Sequence, residues 1–187
     1  MTLLNSADAI YLGDRTVNRV YVGAQRVWPP GSGMVYVGPQ LGTLNAVITG
    51  LRPYVFKITL PTDGEIVEIV ADRPTGTSPF KIVLYSDNGG VPDKLIYVSD
   101  EQREAVSSLP VSIPVTAGSY WLGTVSSLNN ATINALAHEP GLEIAMAEPN
   151  SWPSWTGPNP TEWVGSVSPP QNVDRVPYVG LWYVPAE

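Results

Sequence analysis

The chain has no cysteine, a single histidine, two phenylalanines and few charges, and each shortage removes a class of protein. Without Cys, no disulfide framework, thiolate metal site or cysteine nucleophile can be built from these 187 residues. No stretch approaches the roughly 18–20 apolar residues of a membrane helix. Residues 1–8 hold no basic residue and no apolar run of signal-peptide length, so the expectation is a chain made without a leader and without membrane insertion. Charged residues make up 14%, with 10 Lys+Arg against 17 Asp+Glu and a net charge of -7. A pI near 4.6 argues against nucleic acid as a partner, because phosphate binding needs clustered positive charge.

Glycine and proline are plentiful instead, at 17 and 19 residues, and they punctuate the whole chain. Between them stand six Trp, nine Tyr and many Val, Ile and Thr. That is the composition of strands separated by turns, and the predicted fold class is all-β. The charge is uneven. Residues 1–60 carry Arg15, Arg19, Arg26, Arg52 and Lys57 against Asp8 and Asp14, a net of +3, which leaves -10 for residues 61–187.

A short repeat opens the chain. Ile10-Tyr11-Leu12-Gly13 returns ten residues later as Val20-Tyr21-Val22-Gly23, and again as Val35-Tyr36-Val37-Gly38. With Asp14-Arg15 and Ala24-Gln25 as reversals, residues 9–28 read as a three-stranded antiparallel meander closed by Trp28. The run 29–33, Pro-Pro-Gly-Ser-Gly, breaks the pattern, so the expected organisation is an element over 1–30, a linker over 31–33 and a domain over 34–187. A sheet of about 20 residues is too small to stand alone in water and must dock, on its own domain or on another chain. Tyr11, Arg15, Arg19, Tyr21, Arg26 and Trp28 are the candidate attachment or oligomer contacts.

Beyond the linker, apolar stretches recur between turn-forming clusters such as Pro61-Thr62-Asp63-Gly64 and Asp87-Asn88-Gly89-Gly90, where Asn88 or Gly89 would take positive φ. The candidate strands are 44–51, 54–60, 66–71, 80–85, 95–98, 111–115, 120–125, 133–137, 142–146, 163–167 and 178–184. Ten or eleven short strands predict a jelly-roll-like β-sandwich. Residues 100–107 are the one expected helical turn.

Catalysis finds little material. His138-Glu139-Pro140 leads to no second His, and no G-x-S-x-G elbow accompanies it, so neither a zincin nor a serine triad is expected. Asp63, Glu65, Glu68 and Asp72 could be drawn as paired carboxylates, but alternation over 65–71 makes them solvent-facing. Asp87-Asn88-Gly89-Gly90 offers one carboxylate where a calcium loop needs several. Asn130-Ala131-Thr132 matches a glycosylation sequon by chance. No cofactor, metal site or enzymatic activity is expected. The most unusual stretch is 151–163, which carries Trp152, Trp155 and Trp163 on a Pro-rich frame. These rings either present flat faces to a glycan or a protein partner, or fold back to cap the sandwich.

Two segments carry a resemblance. Residues 9–28, Ala-Ile-Tyr-Leu-Gly through Val-Tyr-Val-Gly-Ala-Gln-Arg-Val-Trp, resemble the N-terminal element of tail and virion-surface proteins of bacteriophages that infect actinobacteria. Residues 80–92, with the Leu-Tyr-Ser-Asp-Asn-Gly-Gly hairpin, and residues 115–122, with Ala-Gly-Ser-Tyr-Trp-Leu, are similar to a β-sandwich module of phage structural and bacterial surface proteins. The resemblance implies a non-enzymatic virion protein, a minor tail, tail-tip or fibre component or else a capsid decoration. It implies a homo-oligomer, with a trimer as the guess, bound to other virion proteins through the N-terminal element. A host-surface glycan is the further expected partner, and a stand-alone carbohydrate-binding module is the alternative outside the virion.

Overall fold

The structure, a computed structural model, describes residues 10–12, 15–17, 20–22, 25–28, 33–39, 44–48, 51–72, 79–103, 106–127, 131–137, 142–147, 151–152, 159–163 and 175–186. Among the described residues there are 16 strands and no helix. All the strand pairs are antiparallel. The chain divides into two compact units, Met1–Met34 and Val35–Glu187.

The first unit contains β1 (Ile10–Leu12), β2 (Arg15–Val17), β3 (Val20–Val22) and β4 (Gln25–Trp28). They pair two and two, β1 with β2 and β3 with β4, and not as the single three-stranded meander expected. The reason is in the repeat itself. Each apolar-Tyr-apolar-Gly strand is followed by its own return strand, so the ten-residue period is the period of a hairpin.

The second unit begins with β5 (Val35–Val37), β6 (Leu44–Ile48), β7 (Tyr54–Leu60), β8 (Gly64–Asp72), β9 (Phe80–Asp87) and β10 (Pro92–Val98). It continues with β11 (Val106–Val115), β12 (Gly118–Ser126), β13 (Ala131–Ala137), β14 (Ile144–Met146), β15 (Arg175–Pro177) and β16 (Val179–Pro185). A five-stranded sheet in the order β10-β9-β12-β7-β14 faces a four-stranded sheet in the order β11-β8-β16-β5, and β15-β13-β6 form a third, smaller sheet. The fold is an all-β sandwich.

Strand alternation builds its core. Tyr54, Phe56, Ile58 and Leu60 of β7, Ile82 and Leu84 of β9, and Tyr120 and Leu122 of β12 meet Ile66, Ile69 and Ala71 of β8 and Val179, Leu181 and Tyr183 of β16. The intervening residues of the five-stranded sheet are buried too. Val55, Val83, Tyr85, Trp121 and Val125 form a second cluster on its other face. With both faces covered, β12 is buried from Tyr120 to Ser126, its polar Thr124 and Ser126 included.

The third copy of the repeat has a different partner from the first two. Val35–Val37 pairs with β16, with Tyr36 opposite Trp182 and their rings 5.2 Å apart. Gly180 makes this possible, because a Cβ there would stand 2.2 Å from the Tyr36 hydroxyl oxygen. The Tyr36 hydroxyl donates to the Pro39 carbonyl at 2.8 Å and so locks the strand exit.

At the opposite edge, β11 turns Leu109, Val111 and Ile113 inward and leaves Ser108, Pro110, Ser112 and Pro114 exposed. Two of those four exposed positions carry no backbone N–H.

Two expectations are corrected, and a third lies mostly outside the described residues. The described residues of 100–107 form no helical turn: Gln102 bridges to Phe80 through both backbone groups, and β11 starts at Val106. Of the strand expected over 163–167, the structure describes only Trp163, which follows a one-residue bridge between Glu162 and Lys94, while 164–167 lie outside the described residues. Glu68 is not solvent-facing but 1% exposed. Alternation assigns it a face without saying whether that face is covered. Glu68 sits in register between Pro110 and Trp182 and accepts a hydrogen bond from the Ser108 hydroxyl, which offsets the cost of burial.

Candidate functional site

The face of the five-stranded sheet away from the main core brings aromatic and charged side chains together. In β7, β9 and β12 the residues that alternate away from the main core place Lys57, Trp121 and Tyr85 in one cross-strand row. Asp87, two residues beyond Tyr85, joins the same face. Trp121 is fully buried, and its Nε1–H donates to Asp87 Oδ1 at 2.7 Å. Asp87 Oδ2 accepts the Gly90 N–H at 3.1 Å, so a single carboxylate anchors the indole and shapes the turn. Lys57 Nζ lies 5.8 Å from the Trp121 ring centroid, 3.0 Å from Glu143 Oε1 and 3.8 Å from Asp87 Oδ1. The lysine is therefore neutralised by two carboxylates over an aromatic face.

Residues 151–163 supply part of the cover. The Trp152 N–H donates to the Leu51 carbonyl at 3.0 Å, and its side chain is fully buried in the second cluster. Leu51 has a φ of 57°, in the left-handed region that costs a non-glycine residue about 1–2 kcal/mol, so the Trp152 anchor is built on a strained residue. Further along, Leu95 N–H donates to Thr161 O at 2.9 Å and Trp163 N–H to Asp93 O at 2.7 Å, which pairs this segment with the edge of β10. Trp163 then meets Tyr85 edge-on, with ring centroids 5.4 Å apart and planes at 88°. Lys81 Nζ donates to Asn159 Oδ1 at 3.4 Å and ties the same segment to β9.

Of the two tryptophans described in this segment, Trp152 is fully buried and Trp163 is half-buried. Trp152 and Trp163 are brought together on the sheet face, and Trp152 presents no surface to a ligand. They cover the broad face of the sheet, not its open end. Trp155 lies outside the described residues. Trp152 Nε1, Trp163 Nε1, Arg52 Nε and Ser151 Oγ are buried without a hydrogen-bond partner among the described residues. Unsatisfied donors of this kind cost stability, so apolar contact and the backbone hydrogen bonds above are what hold the segment down.

The N-terminal candidates fall on the two hairpins. Tyr11 is opposite Thr16, Arg15 opposite Leu12, Tyr21 opposite Arg26 and Trp28 opposite Val20. Arg19 lies outside the described residues, as does His138. Of the carboxylates, Asp63 Oδ1 accepts the Ala117 N–H at 2.7 Å and Glu65 accepts from the Ser112 hydroxyl. Both are used to join neighbouring strands or turns. Among the described residues no group of three or more His, Cys, Asp or Glu is placed to hold a metal ion.

The role of Asp87 was the part of the site hardest to read from sequence. It reads as a turn former, and its position two residues after Tyr85 gives its face, but Trp121 comes from a different hairpin. Glu143 carried no signal at all.

Burial pushes the Tyr85 hydroxyl far above the ordinary tyrosine range. It does the same to Tyr36, with the neighbouring Tyr178 adding to the effect. Above about pH 10 the unfolded chain loses a phenolic proton that folded Tyr85 retains, so stability falls as pH rises, by about 1.4 kcal/mol per pH unit for one fully retained proton. Below that range the neutral phenol costs nothing in either state. Tyr85→Phe should therefore flatten the alkaline limb of a urea-unfolding series relative to the parent chain. Parallel limbs would show that Tyr85 ionises while folded.

Comparison with known proteins adds the fold class and little more. No protein family matches the chain, and no curated protein matches it. Among solved structures, the clostridial cysteine protease Cwp84 after propeptide cleavage superposes with a TM-score of 0.55 at 8% identity. The match covers 84% of this chain and 41% of the protease, so this chain spans well under half of that protein's length. At such identity the likeness shows a shared fold alone.

Proposed function

We propose that the chain is a non-enzymatic structural protein of a phage particle, a minor tail, tail-tip or fibre component. Its N-terminal hairpins attach it to the particle and to sister copies, and its sandwich is the displayed domain. The observation that carries this reading is the first unit. Two hairpins with strands of three or four residues fall well short of the three or more packed strands that independent stability in water requires. A segment of this kind is explained by a partner surface. The resemblance of residues 9–28 to the N-terminal element of phage tail and virion-surface proteins names the class of partner.

A capsid decoration would use the same attachment. Host-surface glycan binding, if present, has to use side chains other than Trp152. The protease chemistry named for the structural neighbour has no counterpart here, since these 187 residues contain no cysteine to act as nucleophile.

The expected result is a trimer by light scattering and the chain's peptides in the mass-spectrometric inventory of purified particles. A monomer absent from those particles would end the proposal. Glycan-array binding by a chain absent from particles would favour a free carbohydrate-binding module instead.

A further inference from the structure

The turn between β9 and β10 holds a chemical feature that neither the fold nor the proposed attachment uses. Of the ten asparagines in the chain, only Asn88 precedes a glycine. Asn88 and Gly89 are both exposed. Gly89 and Gly90 have φ of 65° and 89°, and a Cβ built on either meets nothing within 4 Å, so the turn is open on its solvent side. The amides of the turn are bonded unequally. Asn88 N–H donates to Val91 O at 2.8 Å and Gly90 N–H to Asp87 Oδ2 at 3.1 Å, while Gly89 N–H has no hydrogen bond among the described residues.

We propose that Asn88–Gly89 is a self-modifying site, at which the Gly89 amide nitrogen attacks the Asn88 carboxamide and converts the turn to aspartate and isoaspartate. A bond forms between Gly89 N and Asn88 Cγ as the nitrogen gives its proton to solvent. Nδ2 takes up a proton from solvent, the Cγ–Nδ2 bond breaks and ammonia leaves. Water then opens the five-membered imide at either carbonyl, and no oxidant or reductant takes part. Two of the requirements are met at this position. The attacking nitrogen must give up its proton, and Gly89 N–H is the turn amide held by nothing described. The carboxamide must rotate onto the following residue, and that residue has no Cβ in the way.

The product reaches the aromatic face. Isoaspartate routes the main chain through the former side chain and lengthens it by one atom between Asp87 and Gly90. Asp87 holds Gly90 N–H with one oxygen and Trp121 Nε1–H with the other. Lengthening the turn therefore loads the carboxylate that anchors Trp121, whereas conversion to ordinary aspartate only adds a charge.

The test is to age the full chain in mildly alkaline buffer and follow its intact mass, which should rise by about one dalton as ammonia is replaced by water. Peptide mapping with enzymatic isoaspartyl methylation should place the change on Asn88. Asn88→Gln should abolish that gain. Asn88→Asp should keep the tryptophan emission of the fresh protein, and the isoaspartyl fraction should shift it to the red. A gain that maps to another asparagine overturns the proposal. So does an Asn88 that stays intact in the folded chain while a synthetic 85–92 peptide converts under the same conditions.

Discussion

Trp121→Ala is expected to lower the unfolding free energy by about 3–5 kcal/mol, the usual cost of emptying a large aromatic site in a packed interior. Trp121 is fully buried in the middle of β12, with β7 and β9 on either side, so the cavity cannot be closed by the shift of a loop. A second loss follows from the partner. The half-buried Asp87 Oδ1 loses the indole N–H. Trp121→Phe separates the two effects, because it keeps most of the volume and should cost mainly the hydrogen bond, about 1–3 kcal/mol. Urea unfolding followed by circular dichroism reads both variants. Near-equal losses for Ala and Phe would mean that the hydrogen bond, not the volume, is the larger contribution.

Trp152→Ala should cost a similar amount, about 3–5 kcal/mol, and it separates a packing role from a contact role. Its ring is fully buried in the second cluster, and the backbone that carries it is tied to a strained Leu51. The variant should therefore melt earlier, by roughly 2–4 °C for each kcal/mol in a unit of this size. If the chain has the particle role proposed above, adsorption of the particle to host cells, measured well below the melting range, should be unchanged. Weakened adsorption by a variant of undiminished stability would show the opposite assignment, with the ring exposed and used for contact.

The strands were legible where turn chemistry bounded them. Pro61-Thr62-Asp63-Gly64 and Asp87-Asn88-Gly89-Gly90 ended their strands, and the apolar stretches 54–60, 80–85 and 120–125 marked β7, β9 and β12. What sequence could not show was partnership across distance. The repeat is the same in Val20–Val22 and Val35–Val37, yet the first pairs with the next few residues and the second with β16 at the far end of the chain. Residues 100–107 have acidic residues suited to a helix start, but the pairing of Gln102 with Phe80 overrides that local preference. β15 was missed because three residues ending in proline carry no periodicity. In the candidate site, the aromatic residues were visible as types. The positions of Lys57, Asp87 and Glu143 around Trp121 depend on the stacking of separate strands.

The exposed alternation of Ser108, Pro110, Ser112 and Pro114 along β11 bears on how copies of the protein can meet. An open strand edge ordinarily recruits another strand, and at high local concentration that leads to fibres or aggregates. Pro110 and Pro114 offer no donor to an incoming chain, so the four-stranded sheet cannot be continued from molecule to molecule on this side. Copies held at high local concentration would then stay discrete at this edge.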